Sequence, residues 1–297
     1  MKFSVLMAVY YKENPNFLDL AIKSIYENQS VKPDEIVLVK DGVLTKELDL
    51  VINSWEARFP NILKVISLKE NRGLAYALNR GLKECSYEYV ARMDSDDISY
   101  PDRFKKQINF LRKNPDIDVL GGWISEFAND DEEDIYADRK VPISTKDVAS
   151  FAKFRCPVNH VTVMYKKSAV LSVQGYDKFI GIEDYYLWAK MFVKGYKFFN
   201  LPEYLVNVRA GENMLQRRRG FHYAKMEFLL QIEFYKIGFI TLPVFVQNTL
   251  AKFIIRIAPL GFMDYIYKKL RRVTYYKNDS DRNIYFNLKY KNIQYGE

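Results

Sequence analysis

The stretch YVARMDSDDISYPDR, residues 89–103, decides the interpretation of the rest of the chain. A short apolar run ends in three carboxylates, Asp94, Asp96 and Asp97, and Pro101 follows where the first turn of a helix would begin. Proline is tolerated there because its missing N–H has no partner to lose. The order strand, acidic turn, helix places acidic side chains at the carboxyl edge of a parallel sheet, where open α/β folds bind ligands. Carboxylates this close repel one another unless a cation lies among them, and such oxygen ligands suit Mg²⁺ or Mn²⁺ shared with substrate phosphates.

The Asp-x-Asp pattern alone carries little information, because it recurs at Asp116 and in the polar tail at Asp279. Only the pair Asp94 and Asp96 follows a strand-like run and precedes a helix. We therefore predict a metal–phosphate site at this pair. The alternative is a solvated turn.

Composition and charge limit the classes of protein to which the chain can belong. The chain has 297 residues and a net charge of +8. Residues 221–297 carry 12 Lys and Arg against 6 Asp and Glu, which leaves only +2 for the first 220 residues. Cys85 and Cys156 lack the spacing of metal ligands, and they need no disulfide. Free cysteines of this kind are typical of a protein in a reducing cytoplasm. We expect no export, because no charged-then-apolar leader precedes the first strand, and no membrane span, because no apolar run reaches about 18 residues.

Hydrophobic periodicity predicts alternating strands and helices in the first half of the chain. This order favours an α/β fold with a mostly parallel central sheet flanked by helices. Predicted strands cover residues 3–10, 35–40, 63–68, 89–93, 118–123, 158–165, 197–201 and 205–208. One predicted helix begins after residue 16, and three others cover residues 47–59, 74–85 and 181–193.

The last quarter of the chain has a different texture. Residues 228–269 are helical in pattern, and apolar residues surround Lys252 and Arg256, with Pro243 expected to break any long helix. Basic, aromatic and apolar residues together are typical of an amphipathic helix lying in a membrane interface. We place a boundary near Gly220, giving a catalytic domain at 1–220 and a membrane-associating region at 221–297. A helical cap on the sheet or a dimer contact are the alternatives.

Five short motifs occur in a fixed order: Ala8-Val9-Tyr10, Asp41-Gly42, Asn71-Arg72-Gly73, Asp94-Ser95-Asp96 and Glu183-Asp184-Tyr185-Tyr186-Leu187-Trp188. Their order and spacing resemble the family 2 glycosyltransferases, which are inverting enzymes with the GT-A nucleotide-diphospho-sugar transferase fold. The resemblance covers about residues 3–220.

The resemblance implies roles for residues near the donor nucleotide. Ala8, Tyr10, Arg72 and Ser95 would line the nucleotide site. Asp41 would hold the base, although an aspartate before a glycine is also a common turn or cap residue. Arg72 is equally well explained as a surface arginine.

The resemblance also implies how the diphosphate is held. Asp94 would contact the ribose, and Asp96 would bind the metal that bridges the two phosphates. His160, at the mouth of a predicted strand, is the second candidate ligand of the metal or partner of the leaving group.

The motif at residues 183–188 would contact the acceptor. Inversion needs one base that takes the proton of the acceptor hydroxyl, and the resemblance implies that Asp184 is this base. Carboxylates at a helix start are also favoured by the helix dipole, which is the alternative for Glu183. Trp188 lies one turn after Asp184, where it would stack on the acceptor sugar or pack in the core.

A basic cluster follows the last predicted strand. Arg209 and Arg217, with the two arginines after it, flank a glycine-containing loop. Guanidinium groups suit diphosphates, so the cluster is expected to contact the donor. A solvated charge run or a contact with acidic lipid explains it equally well.

The predicted function is an inverting, metal-dependent glycosyltransferase. It would move a hexose, galactose or glucose, from a UDP-sugar to a polyprenyl-diphosphate-linked glycan in surface polysaccharide biosynthesis. We expect it on the cytoplasmic face of an anionic membrane, with no nucleic-acid partner. A sugar nucleotidyltransferase would need a glycine- and arginine-rich loop after the first strand, which Tyr10 and the residues after it do not supply. A non-catalytic, membrane-docked carbohydrate- or nucleic-acid-binding module would retain its function in Asp184→Asn.

Overall fold

A computed structural model describes residues 1–127, 135–177, 182–209, 220–257 and 273–275. Its first part alternates strands and helices as predicted: β1 (Phe3–Val9), α1 (Pro15–Ile25), β2 (Glu35–Lys40), α2 (Lys46–Arg58), β3 (Leu63–Ser67), α3 (Leu74–Glu84) and β4 (Tyr89–Arg92). The strands lie side by side in the order β3–β2–β1–β4, and all three pairs are parallel. The acidic turn therefore leaves the sheet at the same edge as the loops after β1 and β2.

The second part adds antiparallel strands to this sheet. It comprises β5 (Ile98–Ser99), α4 (Arg103–Lys113), β6 (Val119–Phe127), β7 (Ile135–Arg139), α5 (Thr145–Ala152), β8 (Met164–Lys166), α6 (Lys167–Ser172), α7 (Glu183–Val193), β9 (Phe198–Arg209), α8 (Phe221–Lys236), α9 (Leu242–Ile257) and β10 (Val273–Tyr275). β8 is antiparallel to both β4 and β6, whereas β9 runs parallel to β6. The result is a mixed α/β sheet in the order β10–β7–β6–β8–β4–β1–β2–β3.

Helices cover both faces of the sheet. The apolar residues of α1, α2 and α4 pack on one face, and those of α3, α6 and α7 pack on the other. Side-chain caps fix several helix starts: Asn14, Thr45 and Ser144 each accept a hydrogen bond from a backbone N–H of the first turn, which satisfies donors that have no partner inside the helix.

Three sequence-based boundaries differ from the structure. Residues 158–165, predicted as one strand, form a 3₁₀ turn at His160–Thr162 followed by the short β8. The Thr162 hydroxyl donates to the Asn159 carbonyl at 2.7 Å, so a side chain competes here with the strand ladder. Pro101 precedes α4 instead of lying in its first turn, because α4 begins at Arg103. The two predicted strands near residue 200 form the single strand β9. Pro243 lies in the first turn of α9, and no single helix continues from α8 through it, as the sequence predicted.

The helices α8 and α9 form a hairpin that packs on α7. Leu230 and Phe234 of α8 are buried with Tyr185 and Ala189 of α7 in one apolar cluster. Among the described residues, no helix has the length and apolar character needed to cross a bilayer. The acidic segment 129–134 and Arg217 lie outside the described residues.

Candidate active site

The acidic turn after β4 is built on two buried guanidinium groups. Arg92 is 2% exposed and forms an ion pair with Asp94, and Arg103 is fully buried. Arg103 Nη2 donates to the Arg92 carbonyl at 2.7 Å, and its Nε donates to Gln107 Oε1 at 3.2 Å. Burial and the nearby Arg92 charge lower the pKa of Arg103 to about 9. Two fixed guanidinium groups therefore lie beneath the acidic turn.

The carboxylates at the acidic turn still outnumber the positive charges that compensate them. Burial first, and then the charges of Asp94 and Glu13, raise the pKa of Asp96 to about 7. Burial and the neighbouring Asp96 and Asp94 raise the pKa of Asp97 well above its usual range, although its Oδ1 accepts the N–H of Arg209 at 2.8 Å. Raised carboxyl pKa values next to like charges are the condition that a bound cation relieves.

The oxygen donors at this turn fit a divalent metal that is shared with a ligand. Asp94 and Asp96 offer hard oxygens, and Mg²⁺ or Mn²⁺ takes only one or two carboxylates when phosphates and waters complete its shell. Among the described residues, no three His, Cys, Asp or Glu side chains are arranged to hold a metal by themselves. His160 thus does not complete a ready-made three-ligand site with the acidic turn.

The loop after β2 is tied to the loop before α3. The two carboxylate oxygens of Asp41 accept the backbone N–H groups of Arg72 and Gly73 at 2.8 and 3.0 Å. Gly42 has φ +91°, and a Cβ built there would lie 2.6 Å from the Asn71 nitrogen. The Asp41 carboxylate thus acts from a neighbouring strand end as a cap for this loop, and its role as a base contact stays a prediction.

The other residues predicted at the nucleotide site lie at the same sheet edge. Ala8 is half-buried at the end of β1, and Tyr10 beyond it is exposed. The Arg72 guanidinium lies over the Tyr76 ring, 4.1 Å from its centroid. Ser95 donates to Glu13 Oε2 at 2.5 Å, which connects the acidic turn to the loop after β1.

Asp184 lies in the first turn of α7, and a thiol contacts it. Cys156 Sγ donates to Asp184 Oδ2 at 3.5 Å. Burial raises the pKa of Asp184. The backbone N–H of Tyr185, the thiol of Cys156 and the charges of Arg139 and Arg92 lower it. The Arg92 charge also lowers the pKa of Asp96 and of Asp97. Glu183 beside it is 7% exposed.

His160 belongs to a buried polar chain next to this region. Its Nε2 lies 3.0 Å from the Tyr176 hydroxyl, and burial together with the Arg92 charge lowers the pKa of His160 well below its usual value. Asn79 holds Tyr176 by two hydrogen bonds to its backbone, at 2.7 and 2.8 Å. Trp188 is fully buried beside His160 and Phe198, so it packs in the core and has no exposed ring surface for a sugar.

Arg209 closes the turn from the end of β9. Besides its N–H to Asp97, its Nε donates to the Asp96 carbonyl at 3.3 Å, and its guanidinium lies 3.6 Å from the centroid of the Phe17 ring. Of the basic cluster predicted from the sequence, Arg209 is therefore at the acidic turn.

Four residues of this site were missed by the sequence analysis: Glu13, Arg92, Arg103 and Cys156. A signal existed for Arg92, because an arginine inside an otherwise apolar strand must find a partner when it is buried. No local pattern marks Glu13 or Cys156, which reach the site from loops far away in the chain.

A mixed sheet flanked by helices, with an acidic turn at the carboxyl edge of its parallel strands, is the architecture of the GT-A type glycosyltransferases. The model of glycosyl transferase family 2 matches residues 4–173, and that of glycosyl transferase family group 2 matches residues 89–267. The chain belongs to glycosyl transferase family 2, and the resemblance inferred from the five motifs is confirmed.

Curated relatives match over nearly their whole length. An uncharacterised glycosyltransferase of Haemophilus influenzae is 43% identical, covering 92% of this chain and 100% of the relative. A UDP-Gal:alpha-D-GlcNAc-diphosphoundecaprenol beta-1,3-galactosyltransferase of Escherichia coli is 40% identical, covering 91% of this chain and 97% of the relative. The amylovoran biosynthesis glycosyltransferase AmsE of Erwinia amylovora is 36% identical, covering 91% and 99%.

Solved structures share the fold at low identity. Residues 1–349 of S. aureus TarS in complex with UDP-GlcNAc align with a TM-score of 0.62 at 19% identity, covering 98% of this chain and 76% of that chain. The mannosyltransferase PcManGT from Pyrobaculum calidifontis, in complex with GDP-Man and Mn²⁺, aligns with a TM-score of 0.60 at 17% identity, covering 85% and 69%. The predicted GT-A fold and glycosyltransferase activity are confirmed, and the nucleotidyltransferase and non-catalytic alternatives find no support.

Proposed function

We propose that this glycosyltransferase moves a hexose, with galactose as the first choice, from a UDP-sugar to a glycan on a polyprenyl diphosphate in surface polysaccharide biosynthesis, with inversion at the anomeric carbon. The observation that carries the reaction is the acidic turn of Asp94, Asp96 and Asp97 over the buried Arg92, at the carboxyl edge of the parallel strands. The 40% identical E. coli relative, which uses UDP-Gal and a GlcNAc-diphosphoundecaprenol acceptor, supports this choice of donor and acceptor. Glucose is the runner-up sugar.

The acidic turn would hold the diphosphate through a divalent cation. Asp96 would supply its protein oxygens and Asp94 would contact the ribose, with His160 as a predicted further partner of the ion or leaving group. The bound ion would offset the negative charge that grows on the departing nucleoside diphosphate. The complex of the structural neighbour PcManGT with Mn²⁺ supports the use of such an ion, and Mg²⁺ satisfies the same donors.

The chain's own residues would orient the two reactants. Asp41 fixes the loop at Arg72 on which the base and ribose would lie, and Arg92 fixes Asp94 in one orientation. Asp184 would accept the proton of the acceptor hydroxyl as that oxygen attacks the anomeric carbon from the face opposite the leaving group. One carboxylate suffices, because a single displacement inverts the configuration and needs no covalent intermediate on the enzyme.

A lipid-linked acceptor also sets where the enzyme works. We place it on the cytoplasmic face of the cell membrane, attached peripherally to an anionic surface by the region after Gly220. The basic, aromatic composition of residues 221–297 supports this placement.

Donor turnover tests the proposal directly. Purified full-length protein is incubated with UDP-Gal, UDP-Glc, UDP-GlcNAc or GDP-Man and a GlcNAc-diphosphate acceptor on a short lipid chain, with Mn²⁺, with Mg²⁺ or with EDTA. We expect transfer from UDP-Gal with either ion and none with EDTA. Equal transfer in EDTA would remove the metal from the mechanism.

Two variants separate binding from chemistry. Asp184→Asn should lower kcat by about 10²–10⁴-fold, the usual contribution of a general base, and should leave UDP affinity measured by calorimetry unchanged. Asp96→Asn should weaken UDP binding in the presence of Mn²⁺. Asp116→Asn is the matched control, because Asp116 is an exposed partner of Lys197 away from the site. A fully active Asp184→Asn enzyme would refute the assignment of the base.

A further inference from the structure

The hairpin of α8 and α9 exposes a continuous apolar face. On α9 the exposed apolar residues recur at intervals of three or four, which places them on one side of the helix. On α8 the exposed residues Phe221, Phe228 and Tyr235 are spaced by seven and share a side. The exposed set on α9 comprises Leu242, Val246, Leu250, Phe253 and Ile254. A patch of this kind on a soluble domain marks a surface for binding protein or membrane.

A cleft opens between the two helices on this face. Its volume is about 290 Å³, and its walls include the rings of Phe221, Phe228 and Phe253. This volume is at the small end for ligand sites and its walls are mainly apolar, so it suits a hydrocarbon chain better than a nucleotide sugar.

Two polar atoms in the walls of the cleft lack partners. Gln231 is fully buried, and its Oε1 accepts from Asn248 at 2.9 Å, but its Nε2 has no hydrogen-bond partner among the described residues. Thr249 Oγ1 is also buried without a partner there. Both atoms are buried beneath the cleft surface, so the walls that a ligand would meet are almost entirely apolar.

Charge around the cleft favours an anionic ligand. Lys225 and Lys252 line it together with one acidic residue, Glu227. The whole of α9 contains no Asp or Glu. An apolar pocket with lysines among its lining residues matches two parts of a phospholipid, the acyl chain and the phosphate.

We propose that the α8–α9 hairpin is a membrane-docking surface whose cleft takes an acyl chain of an anionic phospholipid. The hairpin lies in the interface, with its apolar side in the acyl region and its lysines at the headgroups. Phe234 of α8 packs on Tyr185, the residue next to Asp184, with 4.8 Å between ring centroids. Docking through this hairpin would therefore hold the helix of the candidate base close to the bilayer. The inference deepens the proposed function and rests on it for its purpose, since a lipid-linked acceptor lies in the same membrane.

Vesicle binding by the full-length protein tests the surface. We expect sedimentation with vesicles of phosphatidylcholine and phosphatidylglycerol, little with phosphatidylcholine alone, and weakening by salt. Lys225→Gln and Lys252→Gln should each lower the affinity about fivefold, and the double variant Leu250→Asp, Phe253→Asp should abolish binding. Leu50→Asp is the matched control, since Leu50 is 69% exposed on α2 and should bind like the unaltered protein.

Acyl-chain contact is measured separately. Phe253→Trp places a fluorophore in the cleft wall, and lipids brominated on their acyl chains should quench it, whereas a headgroup-labelled quencher should act less. Vesicle binding without acyl-chain quenching would overturn the cleft as the lipid site. Three results would overturn the docking surface: no vesicle binding, binding that the α9 double variant leaves intact, or a dimer in light scattering that this variant dissociates.

Sugar-transfer assays distinguish a failure of the docking surface from a failure of the proposed function. On a short-chain acceptor in free solution, the α9 double variant should transfer sugar at the rate of the unaltered enzyme, which also shows that it folds. If the protein docks on vesicles but transfers no sugar from any donor, the proposed function fails and the docking surface stands.

Discussion

At the residue scale, the site depends on where charge is buried. Arg92 and Arg103 are both buried behind the acidic turn, and leaving either guanidinium without its partners would be strongly destabilising. The tie between Arg92 and Asp94 fixes one carboxylate, while Asp96 keeps a pKa of about 7 because burial and like charges disfavour its ionised form. In the proposed function, a bound cation would relieve this excess of negative charge.

The thiol of Cys156 gives a pH-dependent prediction. As the proposed base, Asp184 would act only when it is ionised, and burial raises its pKa. Activity should therefore fall as the pH drops through a value above the ordinary aspartate range. The hydrogen bond from Cys156 lowers this pKa. Cys156→Ala should therefore move the acidic limb of the kcat–pH profile to higher pH, and Cys156→Ser, which keeps a donor, should leave it near its original position. A Cys156→Ala limb that does not move would contradict a role for the thiol in orienting Asp184.

At the scale of elements, strand ends bring the site together and loops decide its detail. The long apolar strands and the periodic helices of the first half could be predicted almost to the residue, because burial on both faces leaves few alternatives. The 3₁₀ turn at His160–Thr162 could not, because it depends on the hydroxyl of Thr162 and on Asn159, whose Nδ2 donates to the Gly122 carbonyl on β6 at 2.8 Å. Contacts between distant segments do not leave a periodic trace in the sequence.

Gly42 in the loop after β2 has a matched control in Gly195, which follows α7. Gly42 and Gly195 have φ of +91° and +84°, but only a Cβ at Gly42 meets a neighbour, the Asn71 nitrogen at 2.6 Å. Gly195→Ala should lower the free energy of unfolding by about 1–2 kcal/mol, the cost of a left-handed conformation. Gly42→Ala should lower it further and also weaken UDP binding, because the loop at Arg72 must shift. Urea unfolding and calorimetry measure both effects, and equal losses with unchanged UDP affinity would show that this loop does not shape the nucleotide site.

At the scale of the whole molecule, α7 connects two parts that the sequence separated near Gly220. Leu187 and Trp188 face the sheet core, whereas Tyr185 and Ala189 face the hairpin. The sequence predicted the helical character of the region after Gly220, because the region is rich in apolar and aromatic residues in a helical pattern. It could not predict which of them stay exposed, since Phe234 and Phe228 differ only in what the fold places against them. The boundary at residue 220 stays a prediction.

The packing of Phe234 tests whether these parts unfold together. Its side chain is fully buried and contacts Tyr185, Tyr186 and Phe239, with centroid distances of 4.8, 6.3 and 5.1 Å. Phe234→Ala should lower the free energy of unfolding by about 3–5 kcal/mol, whereas Phe228→Ala, at a ring that is 43% exposed, should change it by less than about 1 kcal/mol. Because the cluster includes α7, we expect a single calorimetric transition that shifts as a whole in Phe234→Ala. A separate low-temperature transition that alone responds to the substitution would instead make the hairpin an independent domain, and α7 would then keep Asp184 in place without it.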